Sequence, residues 1–579
     1  MRKLYSDLNK KRKEIMQNNP VYIYQKDFEE GTYLIEEPGY YVLKEDIVFN
    51  PNSNSDYMPR PDQIKYKTPG FSLGFFAVVA IYGEDIYLDL NGHTIKASEK
   101  FALQQRFFSI IELANSPFIP SQGPSDFSTP ESFKSAKNVM IRSGYLGRSS
   151  HHGIHGNNAN QILLEKLTIK DFENVGIALN GGNNVVSHKL SIKDNFKNIP
   201  VLATYSAARF ARMFAKRLLT YELDNEHKNE LVKRLHALES EMDKTFREIV
   251  KTGETKNKLF RNDSGLPDGN VYGFLAKNRG VAVNDFESNG EKVNNIFLRK
   301  VKVENLKCKV KEIIALSGKG GTGAQNDVAG AVLQIDEITD NYGRYKGTVL
   351  SDLQIYLAEL SLYLNIPLGK NNITKDVIDW SKGGDIKNLL NKGYKYKCNG
   401  DAMHHVCKNS ISFRFDAIDN LNLEKCSYYK IKNYGCLGND KAAGNYSKSH
   451  DASKIKGYTG AGSCGISISY CSNVDIYKFK GSKLYSRNGD SIGLNVIFNS
   501  KDVKLNNLCL HNIKAGNLRK GRWEGEDYWE KYVEYSNTLP NKKPQSIGIR
   551  YENNSIIGFK EVHIHDLHSC ETPVKIMKV

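Results

Sequence analysis

Three histidines stand close together in the first third of the chain, at His151, His152 and His155, with Arg148 and Asn157 on either side. Imidazole titrates near neutral pH, so such groups can act as general acids or bases, and they can also bind Zn²⁺. We therefore consider His152 and His155 as candidate catalytic residues and Arg148, His151 and Asn157 as candidate glycan-binding residues in a polar groove. The alternative is that the imidazoles are only solvated. No cysteine or carboxylate stands beside them at a firm metal-ligand spacing, so we predict no metal site and no cofactor.

Carboxylates are the second group that could do chemistry. Asp490, in Asn488-Gly489-Asp490-Ser491, is a further candidate catalytic residue. Glycoside hydrolysis uses two carboxylates, one to protonate the leaving oxygen and one to activate water or attack the sugar. No second Asp stands beside Asp490, so the set for a hydrolase is incomplete. Asp171 and Asp194 could instead hold Ca²⁺, but we favour their being stacked corner residues of a repeat.

Two other stretches invite a binding role. Trp523, Tyr528 and Trp529 lie among charged residues, and aromatic faces beside polar groups suit sugar stacking. The alternative, which we favour, is that these rings anchor an insertion to the body of the protein. The glycine-rich stretch 317–324 lacks the Gly-Lys-Ser/Thr ending that a phosphate loop needs, so we predict no nucleotide binding.

The element that must position these residues is a repeat. Val139, Ile162 and Val185 open three copies of one pattern, each 23 residues after the last. The pattern is apolar-x-apolar-x-x-apolar-x-apolar, which predicts a short strand, a break in phase at a corner, and a second short strand. A unit of this length cannot bury its apolar face alone, so copies must stack. We expect Ile162 and Val185 to be vertical neighbours in a solenoid.

Further copies and interruptions divide the chain. Copies of the pattern open at Leu88, Ile296, Thr348, Leu421, Val474, Val503 and Ile557. Apolar residues at three- and four-residue spacing from 207 to 250 predict a helical hairpin on the side of the coil. We predict an N-terminal helix and cap (1–45), in which the helix covers the first open edge of the stack. A first part of the coil (46–200), a helical insertion (201–265) and a second part (266–579) follow. Insertions are expected near 370–400 and 517–545.

Composition limits the partners and the compartment. Lys and Arg exceed Asp and Glu by 81 − 65 = 16 charges, which favours acidic partners, although the lysines are spread along the chain. The N-terminus has no apolar core of a secretory signal, and no apolar run is long enough to span a bilayer. The nine cysteines include no CxxC pair and are typical of buried thiols in a reducing compartment.

The phrase Leu88-Asp89-Leu90-Asn91-Gly92-His93-Thr94-Ile95 is similar to the opening turn of the pectate-lyase-like superfamily of parallel β-helices. More narrowly, segments 108–124 and 147–157 resemble β-helix proteins of large DNA viruses of algae and amoebae. The abundance of Lys, Asn and Ile agrees with an AT-rich genome. The resemblance implies a viral protein that can be packaged in the particle, and it covers most of the chain from about residue 85.

These observations predict an all-β fold, a right-handed parallel β-helix with an N-terminal cap and α-helical lateral insertions. The expected function is that of a virus-encoded structural or recognition protein, in the virion or host cytoplasm. Its partners would be other virion proteins or acidic polysaccharide, with the oligomeric state left open. The alternative is a polysaccharide-active enzyme, a lyase or a glycoside hydrolase, with a groove near 151–157.

Overall fold

The structure is a computed structural model. It describes residues 2–55, 57–104, 108–119, 131–194, 203–252, 271–278, 292–309, 349–365, 410–434, 462–486, 489–516, 544–552, 555–569 and 571–579. This part of the chain is mostly β, and its strands form two parallel sheets, sheet A with 17 strands and sheet B with 11.

The strands and helices have the following bounds. Sheet A contains β1 (Val21–Ile23), β3 (Gly39–Leu43), β4 (Ile47–Phe49), β6 (Glu84–Asp89), β7 (Thr94–Ala97), β9 (Lys137–Gly147), β11 (Asn160–Lys170), β13 (Asn183–His188), β14 (Ser191–Lys193), β16 (Val293–Arg299), β17 (Lys302–Glu304), β18 (Lys307–Lys309), β20 (Ile418–Glu424), β21 (Ser427–Tyr434), β23 (Ser472–Ser486), β25 (Val503–Ala515) and β27 (Ile556–Ser569). Sheet B contains β2 (Tyr33–Ile35), β5 (Ala77–Ile81), β8 (Ser109–Glu112), β10 (His152–Asn157), β12 (Val175–Asn180), β15 (Val271–Lys277), β19 (Ser410–Asp416), β22 (Ser463–Ser469), β24 (Ser491–Ile497), β26 (Ser546–Tyr551) and β28 (Val574–Lys578). The helices are α1 (Arg2–Ile15), α2 (Glu99–Gln104), α3 (Ala203–Leu218), α4 (Asn225–Thr252) and α5 (Val349–Tyr363).

The pairing of the strands follows the repeat. The chain passes back and forth between the two sheets, and each strand pairs in parallel with its counterpart from the next copy. Ile162 pairs with Val139 on one side and with Val185 on the other, which confirms the predicted vertical neighbours. Sheet B is stacked in chain order from β2 to β28, so the first and last strands lie at opposite ends of the stack.

The predicted break in phase is a residue in the left-handed region of backbone conformation. In β11 the break falls at Lys166, with φ of 53°, and equivalent left-handed residues stand five positions before and after it, at Gln161 and Asp171. Each such residue turns the chain through a corner and resets which side chains face inward. Asp171 and Asp194 are stacked corner residues: the backbone N–H of Asp171 donates to the carbonyl oxygen of Asp194 at 3.2 Å. This arrangement agrees with the corner interpretation that we favoured over Ca²⁺ binding.

The inward-facing apolar residues form one long core. In β11 these are Ile162, Leu164, Leu167 and Ile169, none more than 1% exposed. In sheet B, Ile154 of β10 pairs with Ile177 of β12, and each of these isoleucines follows a glycine. The glycines are needed because the backbones approach closely. A Cβ added to Gly176 would lie 2.3 Å from a methyl carbon of the core and 2.7 Å from a backbone oxygen of β15.

Helix α1 is present, but its place differs from the prediction that it covers the open end of the stack. It lies along the outer face of sheet A and contacts β6, β9, β11 and β13 in turn. Leu8 and Ile15 are buried there against outward-facing residues such as Tyr87 and Leu163. The end-cap prediction was wrong because these apolar residues of α1 match an apolar strip on the flank of the coil.

The helical prediction for 207–250 is confirmed, with α3 and α4 joined by a short turn and α5 packed against both. Arg209 ties α3 to the coil through Glu173, with N–O distances of 2.9 Å. The predicted strand copy that opens at Thr348 was wrong, because Leu350 and Leu353 lie in α5. Apolar residues three apart occur both in the strand pattern and on a helix face, and the full spacing favours the helix.

The predicted insertion near 370–400 lies outside the described residues, as does nearly all of the one near 517–545. The division of the chain into domains therefore stays a prediction.

Candidate functional site

The histidine cluster lies on the outer side of sheet B, where β10 is flanked by β8 and β12. Parallel pairing places His152 beside Ser109 and His155 beside Glu112. The rings of His152 and His155 stack with centroids 4.9 Å apart, and the ring of His151 lies 3.9 Å from that of His152. The three predicted histidines therefore do come together, and they share the site with a carboxylate.

His155 is held from both sides. Its Nδ1 lies 2.8 Å from both carboxylate oxygens of Glu112, and its Nε2 lies 3.1 Å from Nδ2 of Asn180. The hydroxyl of Ser109 donates to Oε2 of Glu112 at 2.9 Å. Since the carboxylate can only accept and the Asn amide nitrogen can only donate, the network fits a neutral imidazole protonated on Nδ1. His155 is 7% exposed and Glu112 1%, so this pair orients the site from below the surface.

His151 and His152 are half-buried and form the outer part of the cluster. Their Nδ1 atoms lie 3.2 Å apart, and Nε2 of His151 lies 3.1 Å from Nδ2 of Asn174. Burial lowers the pKa of His152 well below its usual value, and positive charge on His151 or His155 would lower it further. His152 is thus neutral at pH 7 and can accept a hydrogen bond.

Asn157 and Arg148 take different positions from the one that a shared groove requires. Asn157 is buried: its amide donates to the carbonyl oxygen of Pro117 at 3.3 Å, and its side-chain oxygen accepts from Asn180 at 3.0 Å. The guanidinium of Arg148 reaches Glu99 at 3.5 Å. Arg148 is thus a corner residue between β9 and β10 whose side chain reaches the preceding turn, and the contacts of Asn157 are structural.

Asp490 is a buried structural residue at the start of β24. It is 2% exposed, and its Oδ1 accepts a hydrogen bond from the backbone N–H of Gln545 at 2.8 Å. Strand β24 is five strands from β10 in sheet B, which corresponds to roughly 24 Å. Asp490 is therefore too far away to act together with His152 or His155, and a catalytic role for any one of the three stays a prediction.

The aromatic candidates Trp523, Tyr528 and Trp529 lie outside the described residues, and so does the glycine-rich stretch 317–324.

Sequence reasoning missed Glu112. It is 43 residues before His155, across a proline-rich insertion, and only the strand pairing brings the two together. A signal existed in the sequence of β8, where two isoleucines stand between the polar residues Ser109 and Glu112.

Further buried charges line the same outer column of sheet B and are also paired within the protein. Nε of Arg414 donates to Oδ2 of Asp416 at 2.7 Å, and its NH1 donates to the hydroxyl of Tyr272 at 3.1 Å. Nε of Arg550 donates to Oδ1 of Asn495 at 2.8 Å. These charged side chains are therefore paired with polar groups of the same or the neighbouring strands of sheet B.

A second feature lies on sheet A, at the corner column of Lys166. Five successive copies place an exposed lysine there, which we call the lysine ladder: Lys166, Lys189, Lys300, Lys425 and Lys478. All five have φ between 53° and 55°. The backbone N–H of each of the three middle lysines donates at 2.9 Å to the carbonyl of the residue just before the next lysine. The rungs are therefore consecutive, and the ladder extends roughly 19 Å at about 4.8 Å per strand.

The lysine ladder is only lightly neutralised by its neighbours. Nζ of Lys425 lies 3.8 Å from a carboxylate oxygen of Glu424, a distance at the outer limit of an ion pair. Nζ of Lys478 lies over the ring of Tyr477, 5.0 Å from its centroid. The ladder therefore presents a line of positive charge to the solvent.

Comparison with known proteins adds little to this geometry. No protein-family model matches the chain. No curated protein matches it either. Among solved structures, the chain is similar to the Streptococcus pneumoniae surface protein and adhesin PfbA, with 9% sequence identity, a TM-score of 0.22, and coverage of 98% of this chain and 92% of that one. A TM-score this low carries no argument about fold or function. No helix in the described part of the chain has the length and apolar character needed to cross a membrane.

Proposed function

We propose that the protein is a right-handed parallel β-helix, related to the pectate-lyase-like superfamily, that serves a large DNA virus as a structural or recognition protein. We further propose that it is associated with the virion and that the side of the coil binds acidic polysaccharide. Two parallel sheets that pair one repeat apart support the fold. The similarity of segments 88–95, 108–124 and 147–157 to such proteins supports the viral origin.

The lysine ladder is the observation that carries the binding proposal. Like charges on directly adjacent strands repel one another, so a stack of five lysines costs stability in the free protein. A polyanion laid along the stack would convert that repulsion into attraction and release its own counterions. Glycine, which has no β-carbon, or asparagine would fit these left-handed positions with less strain than lysine. The charge therefore has to be explained by something other than the fold.

The shape of the ladder favours an extended acidic polysaccharide. The lysines stand at the same corner position on consecutive strands, and all five are exposed to solvent. A chain with acidic groups along one edge can lie on such a row. The deep, mostly apolar pocket that a small molecule requires is not needed for this contact.

A pair of charge-removing variants tests the proposal. Lys300→Asn/Lys425→Asn takes two charges from the middle of the ladder and places at each corner a residue that tolerates the left-handed conformation. The control is Lys228→Gln/Lys233→Gln on α4, which removes the same charge from exposed helical positions. Binding to immobilised polygalacturonate, alginate and heparin is measured over a series of salt concentrations, with double-stranded DNA as a further ligand.

We expect the ladder variant to bind acidic polysaccharide about 30-fold more weakly at low salt, at about 1 kcal/mol for each lysine beside a polyanionic surface. Its dependence on salt should also be shallower. The α4 control should keep nearly all of the affinity. Equal losses in the two variants would refute a role for the ladder, and a marked preference for DNA would refute the polysaccharide as partner.

A second candidate function, a polysaccharide-active enzyme, has one specific observation in its favour. His152 is half-buried at the surface and stacks on His155, which is oriented by Glu112. A neutral imidazole above a fixed His–carboxylate pair is an arrangement that could remove a proton. The test is incubation with acidic polysaccharides, with unsaturated products read by absorbance and reducing ends by chemical assay.

His152→Gln leaves the buried pair intact, whereas the His152→Ala/His155→Ala double variant removes the cluster. Product formed by the wild type and lost in both variants would establish the enzyme and overturn the structural proposal. Mass spectrometry of purified virus particles tests the proposed location. If the protein is absent from the particles, the host cytoplasm is the remaining predicted location.

A further inference from the structure

A group of potential metal ligands lies on sheet A, far from the histidine cluster of β10. His511 on β25 pairs directly with His565 on β27. Both side chains point outward, because the residue before each histidine, Leu510 or Ile564, faces the core and the residue after each is a corner residue. The two rings are nearly parallel, with centroids 5.0 Å apart and an interplanar angle of 10°. Asp566 follows His565, and its Oδ2 lies 2.9 Å from Nδ1 of His565.

These three side chains converge. One ligand atom from each of His511, His565 and Asp566 lies within 4.8 Å of the other two. Asp566 is a corner residue with φ of 55°, and this conformation brings its carboxylate back beside the preceding histidine. His565 and Asp566 have exposed side chains and His511 is half-buried. Small rotations about exposed side-chain bonds can therefore bring the ligands closer together.

We propose that His511, His565 and Asp566 bind a divalent transition-metal ion of the zinc type. Two imidazole nitrogens and one carboxylate oxygen suit Zn²⁺, Co²⁺ or Ni²⁺, whereas Ca²⁺ and Mg²⁺ require mainly oxygen ligands. Bonds of about 2.0–2.1 Å place the ligand atoms of a tetrahedral site roughly 3.4 Å apart. The distances between the three ligand atoms must therefore shorten by little more than an ångström, and water completes the coordination.

The position of the site suggests what the ion does. His511 and His565 are on neighbouring strands and 54 positions apart in the sequence. A shared ion would tie β27, the last strand of sheet A, to β25. Since the ion binds only when the two strands are paired, it stabilises that pairing through mass action.

The nearest histidine provides a matched control. His563 lies two residues before His565 on the same strand and pairs with Cys509, about 6.6 Å away from the proposed ligands along the strand. It shares their strand and their chemistry but lies outside the group. His236, exposed on α4, controls for weak binding to isolated surface imidazoles.

Zinc uptake is measured on the full chain by competition with a chromogenic chelator, together with the visible spectrum of the Co²⁺-loaded protein and the melting temperature with and without Zn²⁺. We expect His511→Ala and His565→Ala each to lose one equivalent of zinc, the tetrahedral Co²⁺ bands and the rise in melting temperature. Asp566→Asn should weaken binding by about 10–100-fold. His563→Ala and His236→Ala should behave as wild type.

Three results would overturn the assignment. The wild type could take up no more zinc than His511→Ala, which would exclude a site there. His563→Ala could weaken binding as much as His565→Ala, which would move the site along the strand. Asp566→Asn could leave the affinity unchanged, which would remove the carboxylate from the ligand set.

Discussion

The attachment of helix α1 to the coil depends on one carboxylate, and its removal is a sharp test of the structure. Glu165 is 4% exposed. Its Oε1 accepts from the hydroxyl of Tyr5 at 2.7 Å and lies 3.0 Å from Nδ1 of His188. Its Oε2 accepts from NH1 of Arg12 at 3.0 Å, and Nε of Arg142 lies 3.3 Å away. Tyr5 and Arg12 belong to α1, whereas the other three residues belong to sheet A.

The expected cost of Glu165→Gln follows from these contacts. The amide keeps a partner for the hydroxyl of Tyr5, but it loses the charge that Arg12 and Arg142 face. A hydrogen bond to a charged group contributes about 1.5–3 kcal/mol. The side chains of Arg12 and Arg142 are 14% and 26% exposed, so solvent screens part of the loss. We expect the docked helix to lose about 2 kcal/mol, a factor of about 30 in its opening equilibrium.

The effect should be local, and it should depend on pH. Burial tends to raise the pKa of Glu165, but hydrogen bonds from Tyr5 and His188 and the charges of Arg142 and Arg12 outweigh it and lower that pKa below its usual value. A carboxyl group whose pKa is lower in the folded state contributes its full stabilisation of that state when the pH is above its pKa in the unfolded chain. The contribution is lost as the pH falls through its pKa in the folded state. In wild type, α1 should therefore loosen under acid conditions, below the usual range of a Glu carboxyl.

Hydrogen–deuterium exchange read peptide by peptide is the assay. Amides of residues 2–15 should exchange about 30-fold faster in Glu165→Gln at pH 7, while strands β23 and β25 keep their protection. The control is Glu84→Gln, which breaks an exposed ion pair with Lys137 on the same sheet and should change little. Unchanged exchange in α1, or an equal increase throughout the coil, would refute the reasoning.

Three further predictions concern the coil itself. Gly176→Ala should cost about 3 kcal/mol, measured as a lower urea midpoint, because the new methyl would meet a backbone oxygen at 2.7 Å and an isoleucine methyl carbon at 2.3 Å. Burial raises the pKa of Cys426 and of Cys464 to about 12, so a thiol reagent at mildly alkaline pH should leave both unmodified until the protein unfolds, while the half-buried Cys509 reacts first. Lys189→Asn should raise the unfolding free energy by about 0.5–1 kcal/mol, since Asn tolerates φ of 55° better than Lys, and a lowered midpoint would contradict the corner assignment.

The register of the coil could be predicted from the sequence because the repeat is explicit. The interval from Ile162 to Val185 is the interval between paired residues on adjacent strands, and the extra residue in the pattern is the left-handed corner. The wrong strand at 348–355 and the misplaced α1 share one cause. The spacing of Leu350 and Leu353 fits both the strand repeat and a helix. The apolar face of α1 does not indicate which surface of the protein the helix covers.

The lysine ladder and the Glu112–His155 pair could not be predicted, because their residues are far apart in the sequence and meet only through strand pairing. Lys189 and Lys300 are 111 residues apart, yet they are consecutive rungs because whole segments are inserted between turns. The lysines therefore look evenly spread in the sequence, although each stands four residues after the opening residue of its copy. Glu112 was missed for the same reason, since only pairing across an insertion places it beside His155.

The opposite placement of the first and last strands has a mechanical consequence. Force applied between β1 and β28 acts along the axis of the stack, so the outermost turn carries the load first and each turn detaches before the next is stretched. Where turns are 23 residues long, each detachment releases roughly 80 Å of chain. Such a stack would absorb work in many small steps.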